Sequence, residues 1–213
     1  MILYSPIDGE ALTSKVVAQP RHCFLMTRLG KPIPRQVAEI GVAVKAVCNQ
    51  HNYKVIDAGS QVTGRDFLMK IWKMIASSPL AVAVCHEDIA IETQGNILYE
   101  LGLAQAMGKE TLLIKSKSAK LPSDFVRSEY IEYGDDFEKL LSDYLSGLRQ
   151  QAEHYEQVAD LLERNPILAI DYLRRAYLIT GEARLKGLAN HLLHAPGLES
   201  RARNSVEMLA ADF

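Results

Sequence analysis

One run of residues restricts the fold more than any other part of the sequence. Leu80–Cys85 is a nearly uninterrupted apolar run, and the polar triplet His86-Glu87-Asp88 follows it directly. A strand with one solvated face alternates apolar and polar residues, whereas a parallel strand covered by helices on both faces is apolar throughout. The run therefore predicts a central strand of a parallel sheet.

Further strand-like segments, separated by helical patterns, place this strand in a regular alternation. The other strand-like segments are residues 23–27, 53–59, 111–115 and 130–133, and apolar residues recur at helical spacing within residues 37–48, 67–75, 97–104 and 137–148. This alternation is typical of a parallel sheet covered on both faces, with right-handed crossovers. We expect an α/β fold with a flavodoxin-like five-stranded parallel sheet in the order 2-1-3-4-5.

The last third of the sequence has a different pattern. From about residue 151 onward no strand pattern remains, and apolar residues recur at helical spacing around residues 158–162, 168–177 and 185–193. Helices joined by short loops pack on one another or on a partner. We expect a lead-in segment at residues 1–20, an α/β domain at residues 21–150 and a C-terminal α-helical extension at residues 151–213.

Charge and composition restrict the class of protein. The 213 residues carry a net charge of −2, which gives no overall field for nucleic acid, and no clear nucleic-acid patch is predicted. No apolar run approaches the roughly 20 residues that span a bilayer, and the first residues lack a signal-peptide pattern. Cys23, Cys48 and Cys85 lack metal-type spacing and are expected to be buried free thiols, as in a cytoplasmic protein. We expect no metal and no cofactor.

The predicted strand order locates a ligand crevice. In an open parallel sheet, ligands bind beyond the carboxyl ends of the strands, where the strand order reverses. The loops after the first and third strands flank this point, with the end of the second strand beside them. The side chains and backbone that these segments offer to a ligand are Thr27, Arg28, Gly30, Asp57, His86, Glu87, Asp88, Gln94 and Asn96.

Glu100 needs a specific explanation. It falls on or beside the apolar helical face formed by Ile97, Leu101 and Ala104. A charged carboxylate there costs several kcal/mol unless it has a partner, a ligand or a proton. An ion pair with Lys109, Lys115 or Arg28 would make it structural. The neighbouring candidates have structural alternatives as well, since Tyr99 could be a packing aromatic and Glu87 and Asp88 a solvated loop.

A resemblance to a known superfamily gives these residues a role. The block Asn96-x-x-Tyr99-Glu100-Leu101-Gly102-x-Ala104-x-Ala106-x-Gly108-Lys109, after an apolar third strand and an acidic loop, resembles the nucleoside 2-deoxyribosyltransferase-like superfamily. The strand-loop segment from Cys23 to Gly30 is similar too. The same block occurs in nucleotide-binding proteins related to Toll/interleukin-receptor-like domains. The resemblance covers roughly residues 21–133.

The resemblance implies a chemistry. In the transferases the glutamate of this block is the nucleophile that attacks the anomeric carbon of a nucleoside. Glu100 matches that position, and Asp88 and Tyr99 complete the expected catalytic set. Gln94 stands six residues earlier, where an aspartate is typical. This departure weighs against deoxyribose transfer itself and less against cleavage of an N-glycosidic bond.

Three hypotheses follow for the function. The first is an enzyme that cleaves or transfers an N-glycosidic bond of a nucleoside, nucleotide or dinucleotide, with Glu100 as the nucleophile. The second is a non-catalytic nucleotide-binding sensor whose helical tail mediates oligomerisation or docks a partner protein. The third is a scaffold whose site has decayed. A homo-oligomer is expected, because several relatives build their sites across subunits.

Overall fold

The computed structural model describes residues 16–61, 67–123, 125, 130–162 and 165–193. Within them the strands are β1 His22–Met26, β2 Lys54–Asp57, β3 Leu80–Cys85, β4 Glu110–Lys115 and β5 Tyr130–Glu132. The helices are α1 Arg35–Gln50, α2 Ala58–Gln61, α3 Phe67–Ser77, α4 Ile91–Ala106, α5 Phe137–Asp160, α6 Pro166–Thr180 and α7 Arg184–Leu193. Residues 1–15 of the predicted lead-in segment lie outside this description.

The strands form a parallel sheet in the order β2-β1-β3-β4-β5. This order confirms the predicted flavodoxin-like sheet, and the helices that follow β5 confirm the predicted C-terminal helical extension. Cys23 pairs in register with Leu80, and Leu80 pairs with Glu110. The carboxyl ends of β1, β3 and β4 therefore lie side by side at one edge of the sheet.

Alternation along the strands assigns the two faces of the sheet. Phe24 and Ala81 belong to a buried cluster that also holds Ile71 of α3 and Leu101 of α4, so these helices cover one face. On the other face Lys45 of α1 pairs with Asp57 at 3.2 Å. All six residues of β3 are buried, as the apolar run predicts for a strand covered on both sides.

At the amino edge of the sheet, a hydrogen bond joins the residue after the turn that ends α4 to the last turn of α3. Lys109 follows α4 and donates a 2.6 Å hydrogen bond from Nζ to the Ala76 carbonyl, in the last turn of α3. Gly108 makes this turn with a φ of +66°, a conformation that glycine adopts without strain. The Gly-Lys pair that ends the sequence block thus terminates one helix and satisfies an open carbonyl of another.

The described residues form two compact units. Arg21–Gly147 is one of them, and the described residues before and after it form the other. In the second unit, Asn165 caps α6 by accepting from the Leu168 N–H, and Gly181 ends that helix in the left-handed conformation. Arg184 of α7 forms a two-bond pair with Glu156 at 2.6 and 2.8 Å.

One helical boundary differs from the sequence interpretation. The apolar pattern indicates separate helices near residues 137–148 and 158–162, but α5 is continuous over Phe137–Asp160. Residues 149–157 are mostly polar and interrupt the apolar pattern, yet they contain no proline or glycine that would break a helix. The predicted domain boundary at residue 150 thus falls inside this helix.

Two further observations concern the described part of the chain. None of its helices has the length and apolar content needed to cross a membrane. Cys23, Cys48 and Cys85 are buried free thiols, as expected. Burial alone raises the pKa of Cys85 to about 11, so this thiol is not ionised near neutral pH.

The packing of α4 on the sheet gives a stability prediction. Leu101 is fully buried, so Leu101→Ala should lower the free energy of unfolding by about 2–5 kcal/mol through lost burial and a cavity. Leu140 of α5 is 45% exposed, and Leu140→Ala should cost less than about 1 kcal/mol. Urea denaturation of the full chain measures both. Equal losses in the two variants would contradict the assigned core face of α4.

Candidate functional site

A cleft of about 530 Å³ lies at the carboxyl edge of the sheet, beyond β1, β3 and β4. Its lining residues come from the loops after these three strands and from the start of α4: Arg28, Glu87, Asp88, Ile89, Ala90, Ile91, Gln94, Ser118 and Lys120. This is the place where open parallel sheets bind ligands. The structure brings together four of the predicted residues here, namely Arg28, Glu87, Asp88 and Gln94.

His86 lies directly behind the cleft and is only 1% exposed. Its Nδ1 accepts a 3.1 Å hydrogen bond from the Asp88 N–H, so that nitrogen carries no proton. The proton of the neutral ring is therefore on Nε2, which donates to Oε1 of Gln36 at 2.6 Å. Both ring nitrogens of this predicted binding residue are thus used inside the protein, where they hold the start of the cleft loop.

Gln94 holds the same loop from the opposite side. Its side-chain nitrogen donates to the His86 carbonyl at 3.1 Å and to the Ile89 carbonyl at 2.9 Å. An ionised aspartate, which the sequence resemblance leads us to expect at this position, has no hydrogen to donate. The glutamine therefore fixes the backbone of residues 86–89 in a way that an ionised carboxylate cannot.

The two carboxylates of the loop lie at the cleft in different environments. Glu87 accepts a hydrogen bond from the hydroxyl of Ser116, and this bond holds the pKa of Glu87 below its usual value. Asp88 has a side chain that is 63% exposed. Each carboxylate has an oxygen 3.6 Å from Nδ1 of the neutral His86 ring. Glu87 is consequently an ionised, acceptor-only group at neutral pH.

Two cations also line the cleft, and neither forms an ion pair with these carboxylates. Arg28 is partly buried and Lys120 is exposed. Neither forms an ion pair or a side-chain hydrogen bond with any part of the chain that the structure describes. Both cations can therefore bind an anion without first breaking a contact to a described residue.

Glu100 lies elsewhere on α4. It is six residues beyond Gln94, which places it about 9 Å further along the helix axis, and it is not among the described residues that line the cleft. Its side chain is partly buried, and burial raises its pKa to about 7. No hydrogen bond or ion pair reaches its carboxylate from the described residues.

The cations that could have made Glu100 structural are used differently. Lys109 binds the end of α3, Lys115 lies 3.6 Å from Glu132 and over the ring of Tyr130, and Arg28 lines the cleft. The raised pKa of Glu100 accordingly has desolvation as its cause, and no cation of the described ranges offsets it.

The remaining predicted residues lie around the cleft and not in its lining. Asp57 pairs with Lys45 on the α1 face, and the Thr27 hydroxyl oxygen is buried without a partner among the described residues. Gly30 is exposed with a φ of +86°, and Asn96 is exposed on α4. Tyr99 is 53% exposed and lines a separate apolar groove with Leu98, Gly102, Leu103, Gly95, Pro122 and Phe125.

Several residues at the site were absent from the sequence interpretation. Ser116, Ser118 and Lys120 follow β4, and the predicted strand order already put the end of β4 next to the end of β3. The predicted neighbourhood of β3 and β4 could therefore have indicated that the loop after β4 lines the cleft. Gln36 had no such signal, because its bond to His86 depends on how α1 packs across the sheet. No group of metal-binding side chains occurs within the described ranges.

Comparison with known proteins yields similarities of structure only. No protein-family model matches the sequence, and no curated protein matches it. A 2-deoxyribosyltransferase from Bacillus psychrosaccharolyticus is 10% identical, with a TM-score of 0.45 over 58% of this chain and 91% of its own. The CMP N-glycosidase BcmB of Clostridium botulinum is 20% identical, with a TM-score of 0.39 over 59% of this chain and 98% of its own. At these identities the likeness is one of fold alone.

Proposed function

We propose that the protein is a cytoplasmic enzyme that cleaves or transfers the N-glycosidic bond of a nucleoside or nucleotide, with Glu100 as the nucleophile. The observation that carries the proposal is the partly buried carboxyl group of Glu100, which has no partner among the described residues and whose pKa is raised to about 7. A strongly perturbed carboxyl group without a structural partner is a candidate catalytic group. The position of Glu100 in the Tyr-Glu-Leu-Gly block also supports the proposal, because this block resembles the one that carries the nucleophile in the transferases.

The environment of Glu100 suits nucleophilic attack. A carboxylate that water solvates poorly is less stable, and so it gains more by forming a bond to an electron-poor carbon. In the proposed step a Glu100 oxygen bonds to the anomeric carbon while the bond from that carbon to the base breaks. The electron pair leaves with the base, which takes a proton, and water or an acceptor then releases the sugar from the glutamyl ester.

The cleft supplies a place for the rest of the substrate. Residues near Gln94 line the cleft, and Glu100 is about 9 Å further along α4, a distance that a nucleotide can span. Asp88 at the cleft is the proposed proton donor or sugar-binding carboxylate of the catalytic set. Tyr99, which is mostly exposed, would act only if a bound ligand or a second subunit covered it.

A second candidate function is nucleotide binding without turnover. The observation that favours it is that the lining of the cleft includes Arg28, Lys120 and two carboxylates but not Glu100. A ligand confined to the cleft would not reach the proposed nucleophile. The helical extension would then relay binding to an oligomer or to a partner protein.

Substitution of the nucleophile separates these two functions. Glu100→Gln keeps the size of the side chain and removes the nucleophilic oxygen, so base release should fall at least about 10³-fold. Glu92→Gln makes the same change on the exposed first turn of α4 and should leave the rate within about threefold. Chromatography of free bases from nucleosides, nucleotides and nicotinamide dinucleotide measures the rates. Tight binding of a ligand with no release by the parent protein would reject the enzyme and favour the binding function.

The pKa of Glu100 predicts the pH dependence of catalysis. Only the ionised carboxylate attacks, so kcat/KM should rise about tenfold per pH unit below the pKa of about 7 and level off above it. Rates of base release between pH 5 and pH 9 test this. A rate that is constant over this range, or that falls as the pH rises through 7, would contradict the role of Glu100.

The same pKa predicts a pH-dependent cost in stability, whether or not the enzyme is active. Folding disfavours the ionised form of Glu100, so below pH 4.5 the group costs nothing, and its cost grows until the pH passes about 7. A rise in pKa from 4.5 to about 7 corresponds to about 3 kcal/mol. Glu100→Gln should therefore gain about 3 kcal/mol in unfolding free energy relative to the parent between pH 4 and pH 8. Denaturation at both pH values measures the gain, and Glu92→Gln, which should show none, is the control.

A further inference from the structure

We propose that Gln36 of α1 is a positioning residue for Asp88, on which it acts through the ring of His86. The side-chain oxygen of Gln36 accepts the proton of Nε2, and the unprotonated Nδ1 then fixes the backbone of Asp88. The inference rests on the proposed function for the role of Asp88 in the catalytic set. The arrangement of the three residues carries the rest.

The two hydrogen bonds of the His86 ring depend on each other. A neutral imidazole has one donor and one acceptor nitrogen, so a proton on Nε2 leaves Nδ1 to accept. Nε2 lies 2.6 Å from Oε1 of Gln36, and Nδ1 lies 3.1 Å from the backbone nitrogen of Asp88. An acceptor at Nε2 therefore selects the tautomer that can bind the Asp88 N–H.

The surroundings of the ring make this selection necessary. Carboxylate oxygens of Glu87 and Asp88 each lie 3.6 Å from Nδ1 of His86. Without an acceptor at Nε2, the ring gains more from a proton on Nδ1 that faces these carboxylates, and the Asp88 N–H then loses its acceptor. The ring is buried, so bulk water is a poor substitute for the Gln36 oxygen.

The lack of charge on Gln36 matters as much as its oxygen. Two carboxylates already face the ring, and the side chains that bind the ring or its carbonyl from α1 and α4 are the uncharged amides of Gln36 and Gln94. A third carboxylate would favour the doubly protonated imidazolium. Both nitrogens of an imidazolium are donors, so Nδ1 of His86 would no longer accept from Asp88. An uncharged acceptor thus fixes the tautomer and keeps Nδ1 unprotonated.

Gln36 itself lies outside the cleft. It is the second residue of α1, its side chain is exposed, and it is not among the described residues that line the cleft. Its substitution opens no cavity in the core, so variants should remain folded. An effect of Gln36 on the reaction must therefore pass through His86.

Three variants test this path. Gln36→Met keeps the length of the side chain and removes the acceptor, whereas Gln36→Glu keeps the acceptor and adds a negative charge. Gln50→Met is the control, because it makes the first of these changes at the exposed last residue of α1. Thermal melting confirms that each variant is folded.

Nuclear magnetic resonance of the nitrogen-15-labelled full chain observes the ring and the Asp88 amide directly. The nitrogen shifts of an imidazole distinguish a protonated from an unprotonated nitrogen, and His86→Phe identifies the ring signals. The parent and Gln50→Met should show the proton on Nε2. Gln36→Met should move it to Nδ1 and shift the Asp88 amide signal. Gln36→Glu should carry the imidazolium at a higher pH than the parent does.

Base release gives the second readout. Gln36→Met displaces a proposed catalytic group, so kcat should fall at least about tenfold while KM stays within about threefold. The rate of Gln36→Glu relative to the parent should be near one at pH 9 and fall as the pH decreases, because the imidazolium then forms. This ratio cancels the contribution of Glu100, which both proteins share. Gln50→Met should match the parent throughout.

An unchanged His86 tautomer in Gln36→Met would overturn the proposal, and so would a changed tautomer that leaves the Asp88 amide signal in place. A kcat that falls while the tautomer stays the same would retain the enzyme and reject this path. Absence of base release by the parent protein would reject the proposed function instead. The ring and amide signals do not need turnover, so they still decide whether Gln36 positions Asp88.

Discussion

The loop of residues 86–89 is held from both helical layers of the protein, and the geometry of the cleft depends on it. Gln36 reaches His86 from α1 on one face of the sheet, and Gln94 reaches the loop carbonyls from α4 on the other. Because these bonds use the buried ring and the amide nitrogen internally, the carboxyl groups of Glu87 and Asp88 remain for the cleft. The side chains of His86 and Gln94 thus position two carboxyl groups through hydrogen bonds.

Glu100 differs from Glu87 because its carboxyl group receives no hydrogen bond or ion pair from the described residues. Neighbouring cations cap α3 or pair with other groups, and desolvation acts on Glu100 alone. Such a residue lowers stability at the pH where it is ionised. Proteins tolerate such costs mostly where function requires the group. This is why an unsupported carboxyl group in a helix is a stronger functional indication than a well-paired one.

The fold followed from the sequence more fully than the site did. The apolar run of β3 and the alternation around it specified the sheet and its order, because burial on both faces leaves a local pattern. The crevice was located correctly for Arg28, Glu87, Asp88 and Gln94. The bonds of His86 and Gln94 were not predictable, since each joins residues whose proximity is set by packing. The continuity of α5 was not predicted, because the spacing of apolar residues gives no helical pattern across its polar middle stretch.

The bond from Lys109 to the Ala76 carbonyl has a mechanical consequence. Helices α3 and α4 cover the same face of the sheet, and they are fastened to each other at the amino edge, away from the cleft. Because a single side chain joins the chain after α4 to the last turn of α3, a displacement of α4 at this edge is passed directly to α3. The two helix ends are therefore expected to shift together over the sheet.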